Sequence, residues 1–305
     1  MPLRYGTALE LRHLRYFVAV VEEGSFTTAA ERRLHTSQPS LSRQIRDLED
    51  QVGAELLSRS VHGVELTAAG KAFLDHARLA LMQVDAAIEA AHRAAQPARK
   101  TFAIGFQTGQ EMNWLPRAMQ ALHDELKNIE IKIYSDYSPD LAEALVRGRL
   151  DVAFMRVEPG YDLGYRVVGR EPLIVLMPSD HPLSAKQTIH PREFVGEIFI
   201  GGAKKATVLH AVTQEFLRRS GVDITLAHGV DNLAMAMSLI ASTRGLALLP
   251  AYAKNLMPVS VVSRPLEGEA PTIDLAVGYS KSNSSPILKL FLSRLDDLAE
   301  RNEKQ

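Results

Sequence analysis

The residues best suited to chemistry in the first third of the chain lie in one short run, SQPSLSRQIRDLEDQVG, from Ser37 to Gly53. Leu41, Ile45, Leu48 and Val52 recur at three- and four-residue steps, which predicts a helix with those side chains turned to a core. Gln38, Ser40, Ser42, Arg43 and Arg46 then fall on or near the outer face. None is set up as a nucleophile or a metal ligand. Arginine suits guanine edges or phosphate, glutamine suits adenine, and serine suits phosphate, so the chemistry offered is recognition of duplex DNA. The competing reading of the same residues is a small trihelical core with ordinary polar exposure. Charge alone does not decide between them. Arg32, Arg33, Arg43 and Arg46 cluster locally, yet the formal net charge of the whole chain is −1.

The surrounding elements are what would position such a helix. Leu11, Leu14, Phe17, Val18 and Val21 supply the apolar face of a first helix, stopped at Gly24. Ser25 can cap a second helix through Ala29, Ala30 and Leu34, and a polar turn at His35-Thr36 leads to Ser37. Pro39 fits only the first turn of the third helix, where its missing N–H has no partner to lose. Leu56-Leu57-Ser58-Arg59, a turn at His62-Gly63, and Val64-Glu65-Leu66-Thr67 predict a two-stranded wing, with Arg59 and His62 able to reach phosphate or the minor groove. Thr67 is an N-cap candidate for an alanine-rich, proline-free helix. In it Leu74, Ala77, Leu81, Val84, Ile88, Ala91 and Ala95 form a heptad seam. That seam can pack on the body of its own chain or on a partner helix, and dimerisation is the favoured reading.

Beyond the linker Gln96-Pro97-Ala98-Arg99, strands and helices alternate. Strands are predicted at 101–106, 130–135, 151–156, 173–177, 224–228, 246–249, 259–264 and 273–279, with helices at 114–127, 141–147, 208–220, 233–242 and 286–300. This pattern predicts a mostly parallel sheet covered on both faces and divided into two subdomains with a cleft between them. Expected boundaries are 9–67 for a winged helix-turn-helix, 68–95 for a dimerisation helix and 96–100 for a hinge. An α/β effector-binding domain follows over 101–305, its first subdomain about 101–168 and 271–305 and its second about 169–270.

Several function classes lose their support. There is no cysteine, so disulfides, thiolate metal sites and cysteine nucleophiles are excluded. HExxH, GxSxG, GxxxxGK[ST] and a post-strand GxGxxG are missing, and the histidines are scattered; an Asp75-His76 metal site is disfavoured. No catalytic residue, cofactor or metal is therefore expected. A transport solute-binding protein, the other competitor, would need a secretion signal and no DNA-reading domain. The longest early apolar stretch, Tyr16 to Val21, is too short for a signal or a membrane span, so a cytoplasmic protein without membrane partners is expected.

The segments ELRHLRYFVAVVEEGSFTTAA, SQPSLSRQIRDLEDQVGAELLSR and ELTAAG strongly resemble the N-terminal domain of LysR-type transcriptional regulators. IGF, Leu115-Pro116, GRLDVAF and GLALLP continue the resemblance more loosely, and within the family it is nearest the regulators of aromatic-acid catabolism. The run ERRLHT is one residue longer than the family's usual spacing, through Arg32 or Arg33, and is expected to relax in the loop. The resemblance implies a periplasmic-binding-protein-like sensor, linker helices paired into homodimers, and dimers joined into a homotetramer. It also implies operator DNA and RNA polymerase as partners, with Ser37, Gln38, Pro39, Ser40, Ser42, Arg43, Arg46, Arg59 and His62 on the DNA side. For a small-molecule, anionic effector, possibly an aromatic carboxylate, it points to Thr108, Gly109, Gln110, Ser138 and Arg156 on one lip. The other lip would be Gly202-Ala203-Lys204-Lys205 and Asp231-Asn232-Leu233, with Ala203, Lys204, Asn232 and Leu233 the named contacts. Arg156 would bind a carboxylate or pair with a nearby acid. Ser138 would bind effector or cap a helix, and Thr108 would stand in where Gly109 replaces the family's serine or threonine, or satisfy loop amides.

Overall fold

A computed structural model of the chain describes residues 9–60, 63–95, 100–125, 127–224, 226–230 and 232–295. It divides into two compact units at Ile88/Glu89.

In the N-terminal unit α1 (Leu11–Glu23) starts at a capping box, in which the Glu10 N–H donates to His13 Nδ1 at 3.1 Å, and it ends at left-handed Gly24. Ser25 accepts the Thr28 N–H and opens α2 (Phe26–Thr28), which runs on into a π-helical segment, Ala29–Leu34. Ser37 caps α3 (Gln38–Val52) by accepting the Ser40 N–H, Pro39 occupies its first turn, and left-handed Gly53 ends it. The wing is an antiparallel pair, β1 (Leu57–Ser60) and β2 (Gly63–Leu66), with Leu57 opposite Leu66. Its turn at 61–62, and with it His62, lies outside the described residues, as does the side chain of Arg59. Phe17, Leu41, Leu48 and Leu56 are fully buried, and Phe73 meets Phe17 edge-on at 5.3 Å. Val52 departs from the expected core face: it is 37% exposed, because it stands in the last turn of α3 beyond the packed elements.

Thr67 caps α4 (Ala68–Ala95), accepting the Gly70 N–H while donating to the Glu55 carbonyl. The seam residues of α4 divide along its length. Leu74 and Ala77 are buried in the core of the N-terminal unit, with Leu81 packed at its margin, whereas Ile88 is 48% exposed. The linker 96–99 is outside the described residues.

The C-terminal unit holds two layered lobes. In the first, β3 (Lys100–Gln107) pairs in parallel with both β4 (Ile129–Asp136) and β5 (Val152–Met155). Here α5 (Glu111–Ala121) and α9 (Pro286–Ser293) cover one face through Trp114, Phe291 and the stacked Phe106–Phe154 pair; α6 (Ser138–Val146) covers the other. The 16-residue β6 (Leu163–Pro178) belongs to both lobes. Its first half pairs with β11 (Thr272–Ser280) and its second with β9 (Ala247–Pro250) and β10 (Val261–Pro265). The second lobe also contains the short parallel pair β7 (Phe199–Ile200) and β8 (Leu226–His228), with α7 (Thr207–Arg219) and α8 (Leu233–Thr243). The sheets are therefore mixed rather than mostly parallel. β6 and β11 carry the chain between lobes, and they run antiparallel to every described strand they adjoin. The N-terminal part of β6 lies outside the expected strand 173–177, because buried Leu163 and Val168 are separated by Gly164, Tyr165, Arg166 and exposed Val167 rather than alternating with polar residues.

Candidate functional site

On α3 the outward side chains sort by burial. Ser37, Pro39, Ser40, Arg43 and Arg46 are exposed. Arg43 has no hydrogen bond or ion pair among the described residues, and Arg46 reaches back through Nε to the Ser42 carbonyl at 3.3 Å. Ser42 itself is buried, at 8% exposure, and its hydroxyl accepts Gln38 Nε2 at 2.9 Å. That corrects its expected place on the outer face: one step past Leu41, it lies at the edge of the core. Gln38 is held by this bond, so its amide is oriented before any partner arrives.

The extra residue of ERRLHT is taken up in the helix rather than in the loop. The Ala30 carbonyl accepts from His35 and Thr36, and left-handed His35 then turns the chain into α3. Ala29 and Ala30 stay fully buried, as do Leu41 and Leu48 opposite, so the wide turn absorbs the insertion with the α3 core contacts intact. Arg33 pairs with Glu22 at 2.5 Å, and Arg78 pairs with the same carboxylate at 3.0 Å. Partial burial would raise the Glu22 carboxyl, but the bonds from Arg78 and Arg33 outweigh it and hold it below the ordinary value. Arg32 is exposed.

In the C-terminal unit the carboxy ends of β3, β4 and β5 gather along one edge, where ligands of open α/β sheets bind. Ser138, the first residue of α6, ties them together. Its buried hydroxyl donates to Gln107 Oε1 at the end of β3 and accepts the Arg156 N–H, at 2.8 Å, just past β5. Tyr137, not Ser138, is the N-cap residue. Arg156 is 5% exposed and donates through Nη2 to Glu171 Oε2 at 2.7 Å, while its buried Nη1 has no partner among the described residues. Gln110 is fully buried and donates its amide to both Glu171 oxygens, at 3.0 and 3.1 Å.

Across from this edge stands the second lobe. The cleft between the lobes has a cavity volume of about 50 Å³ and opens to solvent at its mouth. Thr108, Ser138, Arg156, Ala203, Asn232 and Leu233 line it. Gly109, Gln110 and Lys204 do not: Gln110 turns to Glu171, and Lys205 rather than Lys204 faces the cleft. Gly109 has φ +91°, and a Cβ there would sit 2.7 Å from Tyr252 Cε2, so a side chain at this position would be strained and would have to displace the Tyr252 ring. Asn232 caps α8 by accepting the Met235 N–H, and Asp231 lies outside the described residues. Thr108 contributes its carbonyl, which accepts the Tyr252 hydroxyl at 3.1 Å.

Sequence reasoning passed over Glu158, Thr207 and Tyr252, all of which line the cleft, and Glu171 behind Arg156. The Tyr252 hydroxyl is pushed well above its ordinary range by burial, and its ring centroid is 5.9 Å from the Arg156 guanidinium carbon. Glu158 is 7% exposed; burial raises its carboxyl, and the Thr207 hydroxyl, 3.2 Å from each oxygen, opposes that only partly. Two further contacts bridge the lobes: Lys205 to Asp140 at 2.9 Å and Asn255 to Asn113 at 2.7 Å.

A capped recognition helix with a wing, and an α/β unit with a two-lobed ligand cleft, together define a helix-turn-helix regulator under small-molecule control. The bacterial regulatory helix-turn-helix protein model of the lysR family matches residues 11–71, and the LysR substrate binding domain model matches residues 95–300. The chain belongs to the LysR family of transcriptional regulators. It is 36% identical to the Hca operon transcriptional activator HcaR of Escherichia coli (strain K12), over 93% of this chain and 96% of that one. It is 33% identical to the transcriptional regulator BenM of Acinetobacter baylyi, over 85% and 86%. The crystal structure of full-length BenM superposes with a TM-score of 0.59 at 27% identity, covering 97% of this chain and 98% of that one. CbnR bound to its target DNA shares the fold, at TM-score 0.56 and 23% identity over 95% and 100%. These relatives are regulators, which sets enzyme and transporter readings aside. Among the described residues no helix is long and apolar enough to cross a membrane.

Proposed function

We propose that this regulator binds operator DNA through α3 and the wing, and that an organic acid held between the two lobes of the C-terminal unit sets its activity. The observation that carries the effector class is Arg156: a guanidinium only 5% exposed, lining the cleft, with one nitrogen buried and without a partner among the described residues. A carboxylate is the ligand group that would complete it. The apolar wall from Leu209, Val230, Leu233, Leu249 and Ile273, beside Tyr252, favours a flat hydrocarbon body, so an aromatic carboxylate fits best. On the DNA side Ser37, Gln38, Pro39, Ser40, Arg43 and Arg46 are the contacts of α3, with Arg59 and His62 from the wing. Ser42 acts by orienting Gln38.

The active form is a homo-oligomer. The exposed Leu79 and Ile88 of α4 support a helix-paired dimer, and the exposed Ile133 and Tyr134 on edge strand β4, with Leu226 on edge strand β8, support a second contact that would make a tetramer. The proposed boundaries are 9–67 for the DNA-binding domain, 68–95 for the pairing helix, 96–100 for the hinge and 101–305 for the sensor. The protein works in the cytoplasm, where operator and RNA polymerase are. An effector that prefers one lobe arrangement would shift the population of that arrangement by its differential affinity. Benzoate and cinnamate, titrated against the full-length protein in a thermal-shift assay, should raise the midpoint of the C-terminal unit in a concentration-dependent way. No stabilisation by any carboxylate would remove the organic-acid reading.

A further inference from the structure

We infer that Glu158 selects among organic acids: the cleft is built for one that carries, away from its carboxylate, a hydroxyl that donates to the Glu158 carboxyl. This rests on the organic-acid reading of the same cleft and narrows it. Glu158 follows β5 two residues after Arg156, and both side chains line the cavity. It is 7% exposed, takes part in no ion pair among the described residues, and its side chain has one donor, the Thr207 hydroxyl shared between its two oxygens. A carboxylate accommodates roughly four donors. Buried acceptor capacity of that size is therefore left open on the cleft wall.

The charges around the cleft sharpen the point. Its two lining cations are already matched, Arg156 by Glu171 and Lys205 by Asp140. Glu158 is a further acidic group beyond that balance. A purely hydrocarbon acid would bring a second anion into this enclosure and offer Glu158 nothing. A hydroxylated acid brings the same single carboxylate charge, but its hydroxyl also supplies the missing donor. Glu158 also stands beside Thr207, the first residue of α7, where its charge opposes a ligand carboxylate. That leaves Arg156 Nη1 to take the carboxylate. A hydroxyl donates a single hydrogen bond, which the open side of the Glu158 carboxyl can accept, whereas an ammonium asks for three acceptors at once. Burial raises the Glu158 carboxyl, as expected of an acid held without a cation.

The test is calorimetric titration of the full-length protein with benzoate, its 2-, 3- and 4-hydroxy isomers, cinnamate, and the corresponding hydroxycinnamates. At least one hydroxy acid should bind roughly tenfold or more tightly than its parent, the scale of a hydrogen bond to a charged acceptor. In Glu158→Ala that ratio should collapse to within about twofold. Parent acids binding as tightly as every hydroxy isomer would overturn the inference while leaving the organic-acid reading intact. So would a preference that persists in Glu158→Ala. If no acid binds at all, the broader reading fails and takes this one with it. A wild-type series without such a preference overturns the inference even if the variant does not fold.

Discussion

The two units present their functional side chains in opposite ways. On α3 the residues assigned to DNA are mostly exposed, and Arg43 has no partner among the described residues. In the cleft Gln107, Ser138, Arg156 and Gln110 are buried and tied into a network running from Gln107 through Ser138 to the Arg156 backbone, and from the Arg156 guanidinium through Glu171 to Gln110. The difference follows from the partners. A phosphate backbone is charged along its length and comes to the surface, so a solvated arginine can wait for it at little cost. A small ligand has to be enclosed, and the groups that recognise it must be held in a dry site by one another. Recognition by α3 should therefore be separable from folding, whereas recognition in the cleft should not.

The sharpest way to break that comparison is Arg156→Ala. It leaves Glu171 without its cation in a largely buried setting. We expect the C-terminal unit to lose about 3 kcal/mol, discounted for the partial exposure of Glu171, and to lose the thermal response to acids, while operator binding persists. A variant with wild-type stability and a normal acid response would show that the network is not shared between the two tasks.

Arg43→Ala is the counterpart, with an expected cost of about 2 kcal/mol in operator affinity and none in stability. Mobility shifts at fixed salt, beside light scattering and thermal melts, separate these effects. A lowered midpoint would mean that Arg43 supports the fold. Gly109→Ser, which restores the family's usual side chain, is expected to destabilise the C-terminal unit by about 1–2 kcal/mol, because it must adopt a positive φ against the Tyr252 ring. Urea unfolding measures it, and an unchanged or improved stability would show that Tyr252 can move aside.

The smallest effect concerns pH. The folded-state pKa of Glu158 is raised above its ordinary value of 4.5, so the folded state holds its proton longer than the unfolded chain. Stability from this group therefore falls as pH rises through the window between those two values. Glu158→Gln removes this effect, so the midpoint of the variant minus that of the wild type should grow as pH rises above 4.5. A flat difference would mean that Glu158 titrates normally in the fold.

How far each region could be read beforehand follows the same division. The caps Ser25 and Thr67, the stop Gly24 and the place of Pro39 are all set by hydrogen bonds or dihedrals within one or two turns, so residue type at a position is enough to identify them. Val52 and Ser42 were misread because helical spacing gives a direction but not the extent of the packed neighbours. The π-helical turn had a visible cause, one residue too many before Ser37, but whether helix or loop would absorb it depended on keeping Ala29 and Ala30 in the core.

In the sensor, strand and helix order was legible from hydrophobic patterning, and the ends of β3, β4 and β5 followed from it. The mixed character of the sheets was not, since no local pattern says that β6 and β11 return across the lobes. Nor could the cleft be assembled from spacing. Tyr252 meets Thr108 across 144 residues, Thr207 meets Glu158 across 49, and the open valence of Arg156 exists only because Glu171 claims one nitrogen and not the other. The sequence by itself determined what depends on a few consecutive residues: the recognition helix with its caps, the wing, and the family. Only the tertiary structure decided which distant side chains share the cleft, because burial and unsatisfied hydrogen bonds are properties of neighbours in space.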